Sequence, residues 1–586
     1  MFTYTRDEIK AALDAGNKDA LKITDTKIAE MKANPQLKFA HGRLAECLEY
    51  YKNPENQIQN ISFTQFNRFY VDGDRAAYEK VYFNRRGHLK TWALHLLFDK
   101  ENKEYKQRLE DTIWAICDEF TWCLPAHYHL KVHEIDLFGC ETTGALAEVI
   151  FLVGDLLHPW VVERAKKELM RRGINRFCEY PDKEFLWSDP DNRNGNWTPV
   201  CSGSIGIAAM CMLDDNDRLA DMLARINKIM ELYFAAYPDD GACPEGLGYW
   251  GYGFGFFASY ADTLYQRTDG KINLFKFEKV RLFASFPAKM LFYGSRCVTF
   301  SDCGGSRGGM SLSLTSLLKR HYPDLYIPST TNFGTDIEIE GCHRFTTNLR
   351  TLTWPSVEIE KEEAGERTYI LDKVQWYIAS GSDNVGFCCK AGFNDEHHNH
   401  NDVGHFQTFK NGEEFFADFG GGVYSGPYFG AERYTFIQCG SHGHSVPIVN
   451  GKYQKFGKQF AAKDVVFTDE GMTADISGAY AIDELKKLTR SFKFDKNPAS
   501  VHLTDEYELS GDNIPVTERF VSWIKPEISE GRVSLKGTKE EMSVYFDSAI
   551  FDASFETIDS GKGTVYVTDL TVKEPKANMK LEFIIK

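Results

Sequence analysis

At 586 residues, 43% hydrophobic and 26% charged, the chain is too long for one hydrophobic core and too apolar to stay disordered. Its 68 basic and 84 acidic residues leave a net charge of −16, which argues against general nucleic-acid binding, because neutralising a phosphate backbone needs a basic face. An anionic substrate stays compatible, since a local cluster of Arg and Lys sets the field inside a cleft.

The first residues, MFTYTRDEIKAALDAGNKDA, lack the basic-then-apolar layout of a secretory signal. The 14 cysteines are scattered without a CxxC, the pattern of reduced buried thiols, so the expected setting is cytoplasmic. Up to about residue 340, apolar residues recur at spacings of three and four, as in LKTWALHLLFDKENKEYKQRLEDTIWAICDEF and RLADMLARINKIMELYFAAY, which predicts successive helices. The most apolar stretch, GALAEVIFLVGDLLHPWVV, is interrupted by Glu148, Asp155, His158 and Pro159. It predicts a buried helix, and no membrane partner is expected.

Three stretches stand out from this helical background. HYHLKVHEIDLFGCETTGALAEV gathers His127, His129, Lys131, His133, Glu134 and Asp136, either as a cationic cleft lining or as a capped helix start. NRNGNWTPVCSGSIGIAAM places Asn196 and Trp197 at a turn before a Gly-rich helix. DGACPEGLGYWGYGFGFFASY sets Glu245 and Gly246 ahead of Tyr249, Trp250 and Tyr252. On their own, the last two are ordinary helix starts whose aromatics pack between helices.

After TLTWPSVEIEKEEAGERTY the period changes. VQWYIAS, VGFCCKAGF, GHFQTFK, EFFADFG, SVHLTDEYELSG, GTVYVTDLTV and MKLEFIIK are short β-branched and aromatic runs bounded by Gly, Asn and Asp. They predict antiparallel sheets stacked in a sandwich. The expected division is therefore a helical domain over 1–354 and a β domain over 355–586.

The β domain opens on DEHHNHNDVGHFQTFKNGEEFFADFG, residues 395–420. As an extended strand, it would point His398, His400 and Asp402 one way and His397, Asn399 and Asn401 the other. KNG suits a hairpin turn to a strand carrying Glu414, Phe416 and Asp418. CGSHGHSVPIVNG adds His442 and His444 downstream. Two imidazoles and a carboxylate from separate strands make a reasonable zinc site; a polar loop with locally bonded histidines is the alternative.

The stretch HHNHNDVGHFQTFKNGEEFFADFGGGVYSG, followed by ERYTFIQCGSHGHSVPIVNG, resembles the C-terminal core of the heparinase II/III-like polysaccharide lyases. The resemblance covers about 55 residues, to which Asn196-Trp197 and the Glu245-Gly246 turn with its Tyr-Trp add weaker matches. It implies an N-terminal incomplete (α/α) toroid followed by a C-terminal antiparallel β-sandwich. It also implies that His400, Asp418 and His444 hold a structural zinc, that His398, Asn196 and Tyr249 are catalytic, with Tyr252 as the alternative phenol, and that Trp197, Glu245, Arg433 and Tyr434 line the cleft. His442 is the rival third ligand. The family has an Asn-His alternative where this chain has Asn196-Trp197, so Asn196 becomes the main group to neutralise a substrate carboxylate.

The activity so implied is β-elimination on a uronic-acid polysaccharide, with a C4–C5 double bond in the product. Asn196 and His398 would stabilise the charge building on the carboxylate, Tyr249 would take the C5 proton, and Tyr249 or His398 would protonate the leaving oxygen. For that, Tyr249 needs cationic surroundings to ionise. Arg433, Arg193 and Arg307 are candidates for pairing with carboxylate or sulfate. The expected substrate is a glycosaminoglycan (heparin or heparan sulfate, chondroitin, hyaluronan), attacked from the chain end as an imported oligosaccharide. Alginate is the alternative polymer. A zinc-dependent hydrolase and a non-catalytic sugar-binding protein are the alternative functions.

Overall fold

The structure is a computed structural model and describes residues 1–586 except Arg193, Asn194, Arg307, Asp336, Glu340, Ser356, Val357 and Ser425. Helices follow one another from Arg6 to Thr353, and the long strands run from Arg367 to Ile585. Outer helices are amphipathic: Arg6–Ala15 starts from a capping box between Thr5 and Glu8 and buries Ile9, Ala12 and Leu13. Inner helices are apolar all round. Trp197–Met212 packs between Leu137–Val153 and Leu247–Arg267, and only its two end residues escape full burial. Such close packing needs small residues, since a methyl group at Gly206 would lie 2.5 Å from the Tyr260 ring. The helix through Leu137–Leu156 is long and apolar enough to cross a bilayer, but 78% of its apolar window is buried inside the protein, which makes it a core helix.

The first large antiparallel sheet has five strands in the spatial order Glu413–Glu414, Phe406–Lys410, Val385–Lys390, Trp376–Ser380, Arg367–Leu371. Its three central strands are buried on both faces. Trp376 and Ile378 join the helical core, whereas Tyr377 and Ala379 join the sandwich core. Double-sided burial explains why these runs are continuously apolar rather than alternating. Beyond it lie a four-stranded and an eight-stranded sheet. The last strand, Asn578–Ile585, shows the one-sided pattern, with Leu581, Phe583 and Ile585 inward. The architecture is thus a helical toroid followed by an antiparallel sandwich.

Two features position the site. The segment after the small hairpin Leu291–Cys297 leaves the helical region and lies against the histidine stretch: Thr299 N–H donates to Gln407 Oε1 (3.1 Å) and Gly421 N–H donates to the Cys303 carbonyl (2.9 Å). The Asn411–Gly412 turn closes the expected hairpin, pairing Lys410 with Glu413, with φ of 45° and 81° at the two turn residues.

The strand expected over 397–402 does not form. The chain leaves Phe393–Asn394 and resumes pairing only at Phe406. His398 has a φ of 56°, left-handed for a residue with a side chain, so two-residue facing fails. The next strand also ends sooner than expected, at Glu414, with Phe415 and Phe416 still bonded to Thr408 and Asp418 beyond them.

Candidate active site and metal centre

Gly246 (φ 94°) starts the helix Leu247–Arg267 in a conformation closed to side chains, and a methyl group there would meet Cys303 Cβ at 2.8 Å. The turn delivers Glu245, and the first helical turn delivers Tyr249. The Tyr249 ring stacks on the His398 imidazole (centroids 4.3 Å apart), with its hydroxyl 3.4 Å from His398 Nδ1 and 2.6 Å from the Tyr424 hydroxyl. Glu245 is buried; it accepts from the Tyr237 hydroxyl (2.7 Å) and from the Asn196 amide (3.2 Å), and its Oε2 is 3.7 Å from His398 Nε2. Asn196 precedes its helix without capping it. Its amide fits because residue 253 is glycine: a methyl group there would lie 2.0 Å from Asn196 Oδ1. Asn196, Glu245, Tyr249 and His398 therefore share one cluster built from three separated segments.

Asp302 organises this cluster, and nothing in the sequence reading singled it out. It is buried, and its Oδ2 accepts from His398 Nδ1 (2.8 Å) and Arg433 Nη2 (2.9 Å). Its Oδ1 accepts from His400 Nε2 (3.0 Å) and the Tyr428 hydroxyl (2.5 Å). Burial alone would raise its pKa, but the histidine and arginine donors hold the carboxyl well below the usual range. An ionised Asp302 fixes the ring proton of His398 on Nδ1 and leaves the Nε2 lone pair free for chemistry.

The expectation of cationic surroundings for Tyr249 fails. Burial, followed by Tyr424, Asp302 and Glu245, pushes the phenol far above its ordinary value of 10. Tyr249 is a neutral phenol beside a neighbouring phenol and two carboxylates, a proton donor rather than a ready base.

Behind Asp302 lies a buried group of ligand atoms. His400, Asp402, Asp418 and His444 offer donors within 4.8 Å of one another. His400 Nδ1, Asp402 Oδ2, Asp418 Oδ2 and His444 Nδ1 are all buried without a hydrogen-bond partner, a costly state that a cation relieves. The far side of each ligand is anchored. His400 Nε2–H donates to Asp302, His444 Nε2–H donates to the Gln438 carbonyl (3.0 Å), Lys390 donates to Asp402 Oδ1 (2.6 Å), and the Gly420 N–H donates to Asp418 Oδ1 (2.7 Å). That is how metal-binding histidines are oriented, with the free nitrogen turned inward. Burial pushes the Asp418 carboxyl up to about 8, so a facing cation is what would keep it ionised.

Two imidazoles and two carboxylates suit one divalent ion, which would displace a proton from His400, since against burial Asp302 and Cys439 raise that ring to about 10; Asp402 joins the three ligands expected from the sequence. His405 is different. Its Nδ1 accepts from the Ser445 N–H (2.9 Å), so the ring proton sits on Nε2, 3.4 Å from Asp418 Oδ2. The two atoms are not hydrogen-bonded, and His405 has no lone pair left for a metal. His442 packs edge-on against Tyr453 and stands outside the group.

The other expected residues do different work. Tyr252 donates to Glu141 (2.6 Å) under the Arg344 guanidinium, away from His398. Trp197 packs against His127 (4.8 Å between centroids), and Asp136, bonded to His127 (2.8 Å), caps the following helix; that stretch is a capped helix start. Arg433 is not free to meet a substrate, because its guanidinium is spent on Asp302 and on the Asn399 and Tyr428 carbonyls. Tyr434 stacks on Phe456. Arg193 and Arg307 lie outside the described residues. Tyr424 and Phe429, 48% and 50% exposed, flank His398 instead, and the only hint in the sequence was aromatic residues inside the Gly-rich run GGGVYSGPYFG.

No family model matches the chain, and no curated protein matches it by sequence. Solved structures do. A mutant of the heparan sulfate lyase from Pedobacter heparinus superposes with a TM-score of 0.62 at 12% identity, covering 98% of this chain and 87% of that one. The chain shares that lyase fold. Heparinase III gives 0.61 at 14% identity over 98% and 92%, and a mutant chondroitin AC lyase from Streptomyces coelicolor gives 0.57 at 10% identity over 97% and 82%. The toroid and sandwich expected from the histidine motif are therefore the fold observed.

Proposed function

We propose that the protein is a polysaccharide lyase that cleaves uronate-containing glycosaminoglycan by β-elimination. The observation that carries this reading is the stacking of His398, held by Asp302, on the neutral phenol of Tyr249, with Asn196 and Glu245 alongside. A uronate presents a weakly acidic C5 proton next to a carboxylate and a leaving oxygen on C4. His398 Nε2 takes the C5 proton, and the charge the ring gains lies between Asp302 and Glu245. Asn196 meets the substrate carboxylate, where charge builds in the transition state. Tyr249 gives its proton to the departing C4 oxygen and recovers one through Tyr424. Both reacting groups thus carry the proton inventory the elimination needs, with His398 in place of Tyr249 as the base and Tyr249, one of the two donors expected on the sequence, as the acid.

His400, Asp402, Asp418 and His444 would hold zinc, which when bound supplies a fixed point for the loop carrying His398. The protein supplies four ligands, and His398 is not among them. The glycosaminoglycan class is favoured over alginate because the similar structures include a heparan sulfate lyase, heparinase III and a chondroitin AC lyase, alongside a xanthan lyase.

The test is to incubate the protein with heparan sulfate, chondroitin sulfate, hyaluronan and alginate and follow the ultraviolet absorbance of the unsaturated uronate. A rise with at least one of the first three is expected. Saturated products would indicate a hydrolase, and absence of turnover on all four polymers would remove the proposal.

A further inference from the structure

Twelve of the 14 cysteines are buried, and most have no chemistry open to them. Cys388 and Cys389 are neighbours on one strand but point into different cores. Cys140 and Cys201 touch through their thiols, yet both are fully enclosed where the helices Leu137–Val153 and Trp197–Met212 meet. Cys297 and Cys303 are unlike these. Their thiols neighbour one another, the Cys297 thiol donating to the Gly305 carbonyl and the Cys303 thiol to the Val298 carbonyl (3.8 Å each), and both line a cavity of about 390 Å³ whose wall includes Gly304, Gly305, Gly308 and Gly309. The Cys303 sulfur also faces the backbone N–H groups of Leu247, Gly248 and Gly304, two of them from the open N-terminal turn of the tyrosine-bearing helix.

We propose that Cys297 and Cys303 form an oxidative modification site, a dithiol that a small peroxide converts to a disulfide. Cys303 is the attacking sulfur, because three N–H donors and a neighbouring thiol stabilise its thiolate. The contact between the two thiols, working against burial and together with those N–H groups, lowers Cys303 and raises Cys297, whereas burial pushes Cys140 and Cys201 up. In the first step a sulfur–oxygen bond forms on Cys303, the peroxide oxygen–oxygen bond breaks, and hydroxide leaves and is protonated to water. In the second, the Cys297 sulfur attacks the Cys303 sulfenic acid; a sulfur–sulfur bond forms, the sulfur–oxygen bond breaks, and a second water leaves. Two thiols are oxidised and one peroxide is reduced to two waters. The bridge would form one residue from Asp302, at the root of the site.

The experiment treats the full chain with hydrogen peroxide, then counts thiols and maps peptides by mass spectrometry. The expected result is a fall from 14 free thiols to 12, a single bridge between Cys297 and Cys303, and recovery with dithiothreitol. In Cys297→Ser the bridge is lost and dimedone labels Cys303 as sulfenic acid, while Cys140→Ser behaves as the parent. Circular dichroism verifies that each variant is folded. Retention of all thiols at peroxide levels that oxidise free cysteine, or a bridge or dimedone adduct located elsewhere, would overturn the proposal.

Discussion

Tyr249 and Tyr252 are three residues apart on one helix and chemically identical, yet their surroundings give them separate tasks. Tyr249 meets His398 and Tyr424, and Tyr252 meets Glu141 and Arg344. Tyr249→Phe keeps the ring stack and removes the proton, so turnover is expected to fall by roughly 10²- to 10⁴-fold with the melting temperature unchanged. Tyr252→Phe deprives a buried carboxylate of a donor, an expected loss of about 1–3 kcal/mol of stability, with turnover within a few-fold of the parent. Unsaturated-product assays and thermal melts on the two variants separate these outcomes; equal activity losses would contradict the assignment. Helical spacing could not distinguish the two, because residues three apart project to nearby directions and only the packed partner tells them apart. The acid and base roles proposed for Tyr249 and His398 have no local signature for the same reason: the phenol's neighbours come from residues 302 and 424, far away in the sequence.

Elements with a strong local signal were legible. Asn-Gly at 411–412 specifies its hairpin through positive φ, and the alternation in the C-terminal strand fixes which side faces the core. The histidine stretch was misread as a strand because its polar and apolar pattern carries no record of the left-handed kink at His398, which tertiary contacts impose. The hairpin has a further consequence. Glu413, the residue after its turn, accepts from the N–H groups of Thr538, Lys539 and Glu540 (2.7, 3.0 and 2.9 Å), tying the five-stranded sheet to a turn of the eight-stranded one. Burial works to raise this carboxyl, but the Thr538 hydroxyl and the three N–H groups prevail and bring it from 4.5 down to about 2. A carboxyl lowered in the folded state adds stability that is full above its unfolded value and fades as the pH falls toward the folded value. Glu413→Gln should therefore have a lower urea midpoint than the parent at pH 6, with the gap closing between pH 4.5 and 2. A gap of constant size across that window would show that the carboxylate charge contributes nothing.

At the scale of the whole molecule, Asp302 is the tie between the two regions. It belongs to a segment of the helical region, and its carboxylate holds His398, His400, Tyr428 and Arg433 of the β region. A lone Asp in a Gly-rich turn gives no sign of this, since the partners that define it lie about 100 residues or more away. Asp302→Asn preserves the shape but removes the charge, leaving the Arg433 guanidinium buried without its counter-ion. Breaking a buried pair in this way costs about 3–5 kcal/mol. The same change weakens the anchor of His400 Nε2–H from a carboxylate to a neutral amide oxygen, and disturbing such an anchor lowers metal affinity by up to roughly 10- to 100-fold. Calorimetry and metal analysis should accordingly find a lowered melting temperature together with reduced bound metal. Tyr249→Phe should match the parent in both. His444→Ala should lose the metal while keeping the Asp302–Arg433 pair, so that a chelator lowers the melting temperature of the parent but leaves that of His444→Ala unmoved. An Asp302→Asn protein with the parent's melting temperature and full metal content would mean that the helical and β regions are joined by other contacts, and that His398 and the metal group are positioned independently of one another.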